Sequence, residues 1–333
     1  MLILGIDTSC DDTSVAVVQD TTTILANVIS SQGIHLDYGG VVPELASRAH
    51  LTLLLPAIES ALQTAGCRLP DLDAIAVTRG PGLVGSLLIG LSVAKSMAMA
   101  LQKPLVGVNH MEGHIFAGRL ADPEMAPPFM TLIVSGGHTQ LVHIQDWGAY
   151  EIIGKTRDDA AGEAFDKVAK MLDIGYPGGP AIDHAATTGD ADFVDFPRVY
   201  LDRDGSEFSF SGIKTAVRNY LMQRTPEENT RDAPHIAASF QEAVVEVLVN
   251  KTVKASRALG LDRLLITGGV ACNSRLRTLM AKTAGAHGLR VIYPSPVLCT
   301  DNGAMIASAG SFHFSQGQVS PLSLKADPRA PLV

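Results

Sequence analysis

His110-Met111-Glu112-Gly113-His114 is the stretch best equipped for chemistry. On a helix, at about 100° per residue, the two imidazoles stand roughly 40° apart on one face, close enough for both to reach one metal ion. Glu112 lies roughly 200° from His110 and points away. In the zinc-protease arrangement His-Glu-x-x-His, the acid follows the first histidine and acts on metal-bound water, so this spacing argues for a metal clamp and against a peptidase. By itself the pair is also compatible with two ordinary imidazoles. The candidate third ligand is Asp301, at the start of a later helix. Two histidines and one carboxylate with open coordination positions suit one Fe(II) or Zn(II) ion per chain. Asp301 could also act as the N-cap of its own helix.

A second group of residues is suited to phosphate. Ser135-Gly136-Gly137 places consecutive backbone N–H groups in a tight turn, as in an anion nest. Gly268-Gly269 with Asn273 offers another cradle at a helix start, where the helix dipole adds partial positive charge. Either could be an ordinary turn; the two at matching places suggest a nucleotide. Asp166 and Asp183 could accept hydrogen bonds from ribose hydroxyls, or form a solvated helix face and a turn. The loop Asp7-Thr8-Ser9-Cys10-Asp11-Asp12-Thr13-Ser14 could hold a metal-phosphate group or be solvated. Phe208-Ser209-Phe210-Ser211-Gly212-Ile213-Lys214-Thr215, with Arg218 and Arg224, is the best aromatic and basic patch for nucleic acid.

The elements that must position these residues recur twice. Leu2 to Ile6 and Val15 to Val18 form a hairpin around the acidic loop, and a third strand (Thr23 to Ser30) leads to a helix from about Pro43 to Ala65. Then come strand Ala74 to Thr78, helix Leu83 to Leu101, strand Leu105 to Val108, Asn109 as a cap, and the histidine helix. After Ala126-Pro127-Pro128 the order restarts with Phe129 to Val134 and Leu141 to Ile144, then Arg263 to Thr267 with a helix, then Val291 to Tyr293 with the Asp301 helix. A helix from about Ala233 to Ala258 reads as core. The expected class is a duplicated α/β protein with a cleft between its lobes. In that scheme the histidines come from the front lobe and Asp301 from the rear. The predicted division is 1–125 with 306–333 as a partner-facing first lobe, and 126–305 as a second lobe with the nucleotide loops and a helical insertion over about 155–260. Gly80-Pro81-Gly82-Leu83-Val84-Gly85 matches a dinucleotide fingerprint formally, but no acid follows about twenty residues later, which excludes that cofactor.

The 333 residues are 46 % apolar, enough for two cores. A net charge of −8 argues against nucleic-acid binding through overall charge. Four scattered cysteines point to a reducing cytoplasm, and Met1 to Asp7 reads as a strand, not a leader. Leu83 to Leu101 has the length of a membrane span, but its glycines and serines favour a buried or partner-facing helix, and no membrane partner is expected.

Together the motifs resemble the TsaD-type tRNA N6-adenosine threonylcarbamoyltransferases, once called O-sialoglycoprotein endopeptidases. The resemblance runs through Gly5 to Thr13, Asp37 to Glu44, Gly80 to Gly82, His110 to His114, Ser135 to Thr139, Asp158 to Lys167, Ser209 to Thr215, Gly268 to Asn273 and Cys299 to Met305. It implies the actin/hexokinase/Hsp70-like (ASKHA) fold, with two ribonuclease H-like lobes. It also implies transfer of a threonylcarbamoyl group from threonylcarbamoyl-AMP to the adenosine beside the anticodon of tRNA. By the same resemblance His110, His114 and Asp301 hold iron or zinc, while Ile133, Val134, Ser135, Gly136, Gly137, Asp166, Gly179, Asp183 and Asn273 contact the adenylate. It further implies a paralogous TsaB-type subunit and a TsaE-type ATPase as partners. Asp11 is the candidate base for the attacking amine. Where many relatives have Glu-Thr-Ser-Cys-Asp-Glu, this chain has Asp7-Thr8-Ser9-Cys10-Asp11-Asp12, with two shorter acids. The tail Asp327-Pro328-Arg329-Ala330 lacks the tryptophan often found there, which predicts a looser tail. Rival readings are a kinase or ATPase of the same fold, which would need no histidine pair, and a non-catalytic scaffold.

Overall fold

The computed structural model describes residues 1–201 and 205–333, in two compact units, Met1–Met125 with Pro294–Leu332 and Ala126–Tyr293 with Val333. The first unit contains β1 (Leu2–Asp7), β2 (Asp12–Gln19), β3 (Thr23–Ser31), α1 (Pro43–Ala65), β4 (Ala74–Gly80), α2 (Val84–Leu101), β5 (Leu105–Asn109) and α3 (His110–Ala121). The second contains β6 (Phe129–Val134), β7 (Thr139–Asp146), β8 (Ala149–Lys155), α4 (Ala161–Leu172), α5 (Gly178–Ala186), α6 (Ser211–Met222), α7 (Pro226–Ala258), β9 (Arg263–Thr267), α8 (Ser274–Ala286) and β10 (Arg290–Ile292). The chain then returns to the first unit through α9 (Pro296–Cys299) and α10 (Gly303–Ser315).

The first sheet runs β3-β2-β1-β4-β5 and the second β8-β7-β6-β9-β10, so each puts its opening strand in the middle. In both, that strand pairs antiparallel with the next strand and parallel with the strand after the first crossover. The alternation of β1 explains the layers of the first unit. Leu4 and Ile6 join the core made with Leu54 and Ile58 of α1 and Leu91 and Ala94 of α2. Gly5 faces the other way, toward α10, and a Cβ there would lie 2.3 Å from the Gly303 carbonyl oxygen. Each fully buried aliphatic side chain in such a core contributes roughly 1.5–3 kcal/mol relative to exposure.

Three expectations need correction. The chain re-enters the first unit at Pro294, not after residue 305, so Asp301 belongs with the histidines and not to the second lobe. Although α10 follows β10 as α3 follows β5, its small residues let it lie on the first sheet. Helix α7 starts at Pro226, not near Ala233: Thr225 and Glu228 form a capping box with Pro226 at the first turn, and Pro234 lies within the helix.

Candidate metal centre and nucleotide loops

The metal-ligating candidates are placed by caps. The Asn109 side chain accepts hydrogen bonds from the Met111 (2.9 Å) and Glu112 (3.4 Å) N–H groups, fixing where α3 begins and hence where His110 and His114 point. Its amide donates to the Pro331 carbonyl at 2.8 Å, so the tail is tied to this helix start and is not loose. Asn302, not Asp301, caps α10 by accepting from the Met305 N–H at 2.9 Å. The Gly303 N–H donates to the Ser14 hydroxyl at 2.6 Å. Asp301 is thereby released from capping and turned toward α3.

His110 Nε2 lies 3.3 Å and His114 Nε2 3.4 Å from the same Asp301 oxygen, Oδ1. The three ligand atoms all fall within 4.8 Å of one another. Ligands about 2.1 Å from a tetrahedral ion stand about 3.4 Å apart, so two of these separations already suit a bound cation. Burial tells the same way. Among the described residues, both ring nitrogens of the fully buried His114 and Nδ1 of His110 have no hydrogen-bond partner, a costly arrangement unless something else satisfies them. The Asp301 side chain retains 24 % exposure, which makes it the accessible side of the group.

The electrostatics follow from the same contacts. Burial alone would depress His110, but the facing carboxylates of Asp301 and Asp7 overcome it and hold the imidazole well above its ordinary range. Burial pushes His114 down. Burial would raise Asp301, but His110 and His114 hold it well below the usual carboxylate range. Nearby, burial pushes the Asp12 carboxyl up to about 6. Asp11, the candidate base, is half-buried in the turn between β1 and β2.

The predicted nucleotide residues all lie in the second unit, where their contacts close a ring. Ile133 and Val134 end β6, and Gly268, at φ +93°, passes so near that a Cβ would sit 2.3 Å from the Val134 carbonyl oxygen. The Ser135 carbonyl accepts from the Gly162 N–H at 3.2 Å, which seats the turn on α4. Gly136 and Gly137 are exposed and face open space. Asp166 of α4 accepts from the Gly178 N–H at 2.7 Å, and the neighbouring Gly179 also faces open space. Asp183 of α5 accepts from the Ser274 N–H (3.0 Å) and hydroxyl (2.7 Å). Asn273 caps α8 through the Leu276 N–H at 2.9 Å and donates to Gln241 at 2.6 Å. The two acids and the asparagine thus hold backbone in place, while the glycines supply the open surface.

The aromatic patch is corrected. Phe208 and Phe210 are buried against each other and cannot act as a base-stacking surface. Lys214 is bound to Asp159 at 2.6 Å, and Arg224 is paired with Asp232. The sequence offered Asp7 only as part of a loop that could hold a metal-phosphate group and did not place it beside His110, where the structure puts it; an acid closing a buried strand was the available signal.

The family model "TsaD: tRNA N6-adenosine threonylcarbamoyltransferase" matches residues 23–308. A protein of that name from Clostridium perfringens is 51 % identical over 328 residues, covering 98 % of this chain and 97 % of the relative. Another from Syntrophotalea carbinolica is 52 % identical over 336 residues, covering 100 % and 97 %. Among solved structures, T. kodakarensis HypF superposes with TM-score 0.65 at 15 % identity, over 96 % of this chain and 48 % of that one. Component A of Acidaminococcus fermentans (R)-2-hydroxyglutaryl-CoA dehydratase gives 0.57 at 15 %, over 95 % and 98 %. These two likenesses speak to the fold alone, which is actin/hexokinase/Hsp70-like. On the family match and the full-length identity, the chain belongs to the tRNA N6-adenosine threonylcarbamoyltransferase family.

Proposed function

We propose that this chain transfers a threonylcarbamoyl group from threonylcarbamoyl-AMP to the N6 amine of the adenosine beside the anticodon, in tRNAs reading codons that begin with A, and releases AMP. The observation that carries this reading is the convergence of His110, His114 and Asp301 on one point, with unsatisfied buried nitrogens. It favours the transferase over a kinase of the same fold, which needs no such histidine pair.

His110, His114 and Asp301 would hold one Fe(II) or Zn(II) ion, which would supply Lewis-acid polarisation of the mixed anhydride. The amine nitrogen attacks the carbamoyl carbon, the bond from that carbon to the phosphate oxygen breaks, and AMP leaves with the electron pair. Ser135, Gly136 and Gly137, with the Gly268 loop and Asn273, receive the phosphate through backbone N–H groups. Asp166 and Asp183 keep that frame rigid, and Gly179 leaves room beside it. Asp11 takes the proton from the amine. Asp12, pushed up to about 6 by burial, is the second candidate acceptor because its affinity for a proton is nearer to neutral pH.

A TsaB-type paralogue docks on the first unit, next to a TsaE-type ATPase. The support is the packed pair α1 and α2, which leaves Leu51, Leu55, Val84 and Leu88 each at least half exposed. Helix α2 is long and apolar enough to cross a membrane, but Leu87, Leu91, Ala94 and Ala98 are buried within the first unit. Four cysteines scattered along the chain, with no disulfide among the described residues, suit a cytoplasmic enzyme. The test is threonine transfer to tRNA from threonylcarbamoyl-AMP, with and without partners. Asp11→Asn with unchanged transfer at saturating substrate would move the base role to Asp12.

A further inference from the structure

Asp7 closes β1 with 0 % exposure. One of its oxygens, Oδ1, is occupied: it accepts from the Ser9 backbone N–H at 3.1 Å and from the Thr78 hydroxyl at 2.8 Å. The other, Oδ2, has no hydrogen-bond partner among the described residues and lies 3.4 Å from His110 Nδ1, which has none either. The opposite ring nitrogen of His110, Nε2, faces Asp301. We propose that Asp7 is a positioning residue that fixes the His110 proton on Nδ1, so that Nε2 offers a lone pair to a metal ion shared with His114 and Asp301. The inference rests on the metal reading above.

The physical ground is that a buried carboxylate oxygen needs a donor, and His110 Nδ1–H is the one in reach. An imidazole carries its single proton on one nitrogen in the neutral form, so occupying Nδ1 as donor leaves Nε2 as ligand. Asp7→Asn tests this because its orientation is dictated by its neighbours. The Ser9 N–H must donate, so the asparagine carbonyl takes the place of Oδ1 and the NH2 group faces His110. That NH2 also donates, so Nδ1 must accept and the ring proton moves to Nε2, the nitrogen that would bind metal. Thr78→Val removes a hydrogen bond from the same carboxylate without changing what faces His110.

With the full-length chain and Zn²⁺ as the probe, competition with a chromophoric chelator is expected to show about a 10- to 100-fold loss of zinc affinity in Asp7→Asn. Long-range ¹H–¹⁵N correlation is expected to find the His110 proton on Nδ1 in the zinc-loaded wild type and on Nε2 in metal-free Asp7→Asn. Thr78→Val is expected to keep the wild-type tautomer. Unchanged zinc affinity in Asp7→Asn would overturn the assignment, as would an unprotonated Nδ1 in the zinc-loaded wild type or an equal loss in Thr78→Val. If Asp7→Asn fails to fold, the wild-type spectrum decides. No zinc bound by the wild type would overturn the metal reading, and this inference with it.

Discussion

In the first unit the turn after β1 packs against Gly82, where an added Cβ would lie 2.5 Å from the Ser9 carbonyl oxygen; in the second the end of β6 packs against Gly268, where it would lie 2.3 Å from the Val134 carbonyl oxygen. In both units, the loop after the parallel neighbour of the opening strand closes against the end of that strand or the turn beyond it. The chemistry mounted on it differs. The first turn and the strand ends beside it carry the carboxylates of Asp7, Asp11 and Asp12, and buried nitrogens of His110 and His114 have no hydrogen-bond partner among the described residues. The second turn carries Ser135, Gly136 and Gly137, and Asp166, Asp183 and Asn273 are all engaged in holding backbone. On the proposed function, one unit works through side-chain donors to a cation and the other through backbone donors to an anion, and substitutions should separate the two.

The largest effect is expected at the side-chain centre. His114→Ala and Asp301→Ala should each lower transfer to tRNA by roughly a hundredfold or more, with AMP binding retained. Loss of AMP binding in either variant, measured by calorimetry, would break the proposed division of labour. Next is Gly268→Ala, which adds a Cβ at φ +93° against the Val134 carbonyl. It should cost on the order of 2–4 kcal/mol by thermal unfolding and weaken AMP binding while zinc binding persists. Asp183→Ala removes two hydrogen bonds to Ser274 at the start of α8 and should cost about 1 kcal/mol, with a several-fold weaker AMP affinity.

The smallest effect concerns Asp12, whose folded-state pKa of about 6 stands above its ordinary 3.8. The folded protein binds this proton more readily than the unfolded chain, so the stability from this group is greatest at low pH and is lost as pH rises from about 4 to about 6. Asp12→Asn removes that loss. In chelator-treated protein, the melting temperature of the variant minus that of the wild type should increase across this window. A difference independent of pH would mean that the Asp12 carboxyl is not held protonated by its surroundings.

Much of the fold was legible because its signals are local. Apolar runs separated by small polar turns marked the strands, and the helix expected from about Pro43 to Ala65 spans Pro43–Ala65 in the structure. The juxtaposition of the two histidines was legible from their spacing, and the approach of Asp301 to them from the matching order of the two halves. That order misled on which unit supplies Asp301, because whether α10 packs on the first or the second sheet depends on contacts such as Gly5 to Gly303, which join positions about 300 residues apart. The phenylalanines of the supposed stacking patch were misread because period and composition cannot tell a buried Phe208 from an exposed one. Asp7 was invisible as a partner of His110 for the same reason: β1 and α3 meet only through the folded sheet.

The most direct measurement is the metal content of the purified full-length chain by elemental analysis, beside His110→Ala, His114→Ala and Asp301→Ala. One iron or zinc ion per wild-type chain is expected and almost none in each variant, with the fold preserved. A wild type without metal, or variants that keep a full complement, would contradict that expectation.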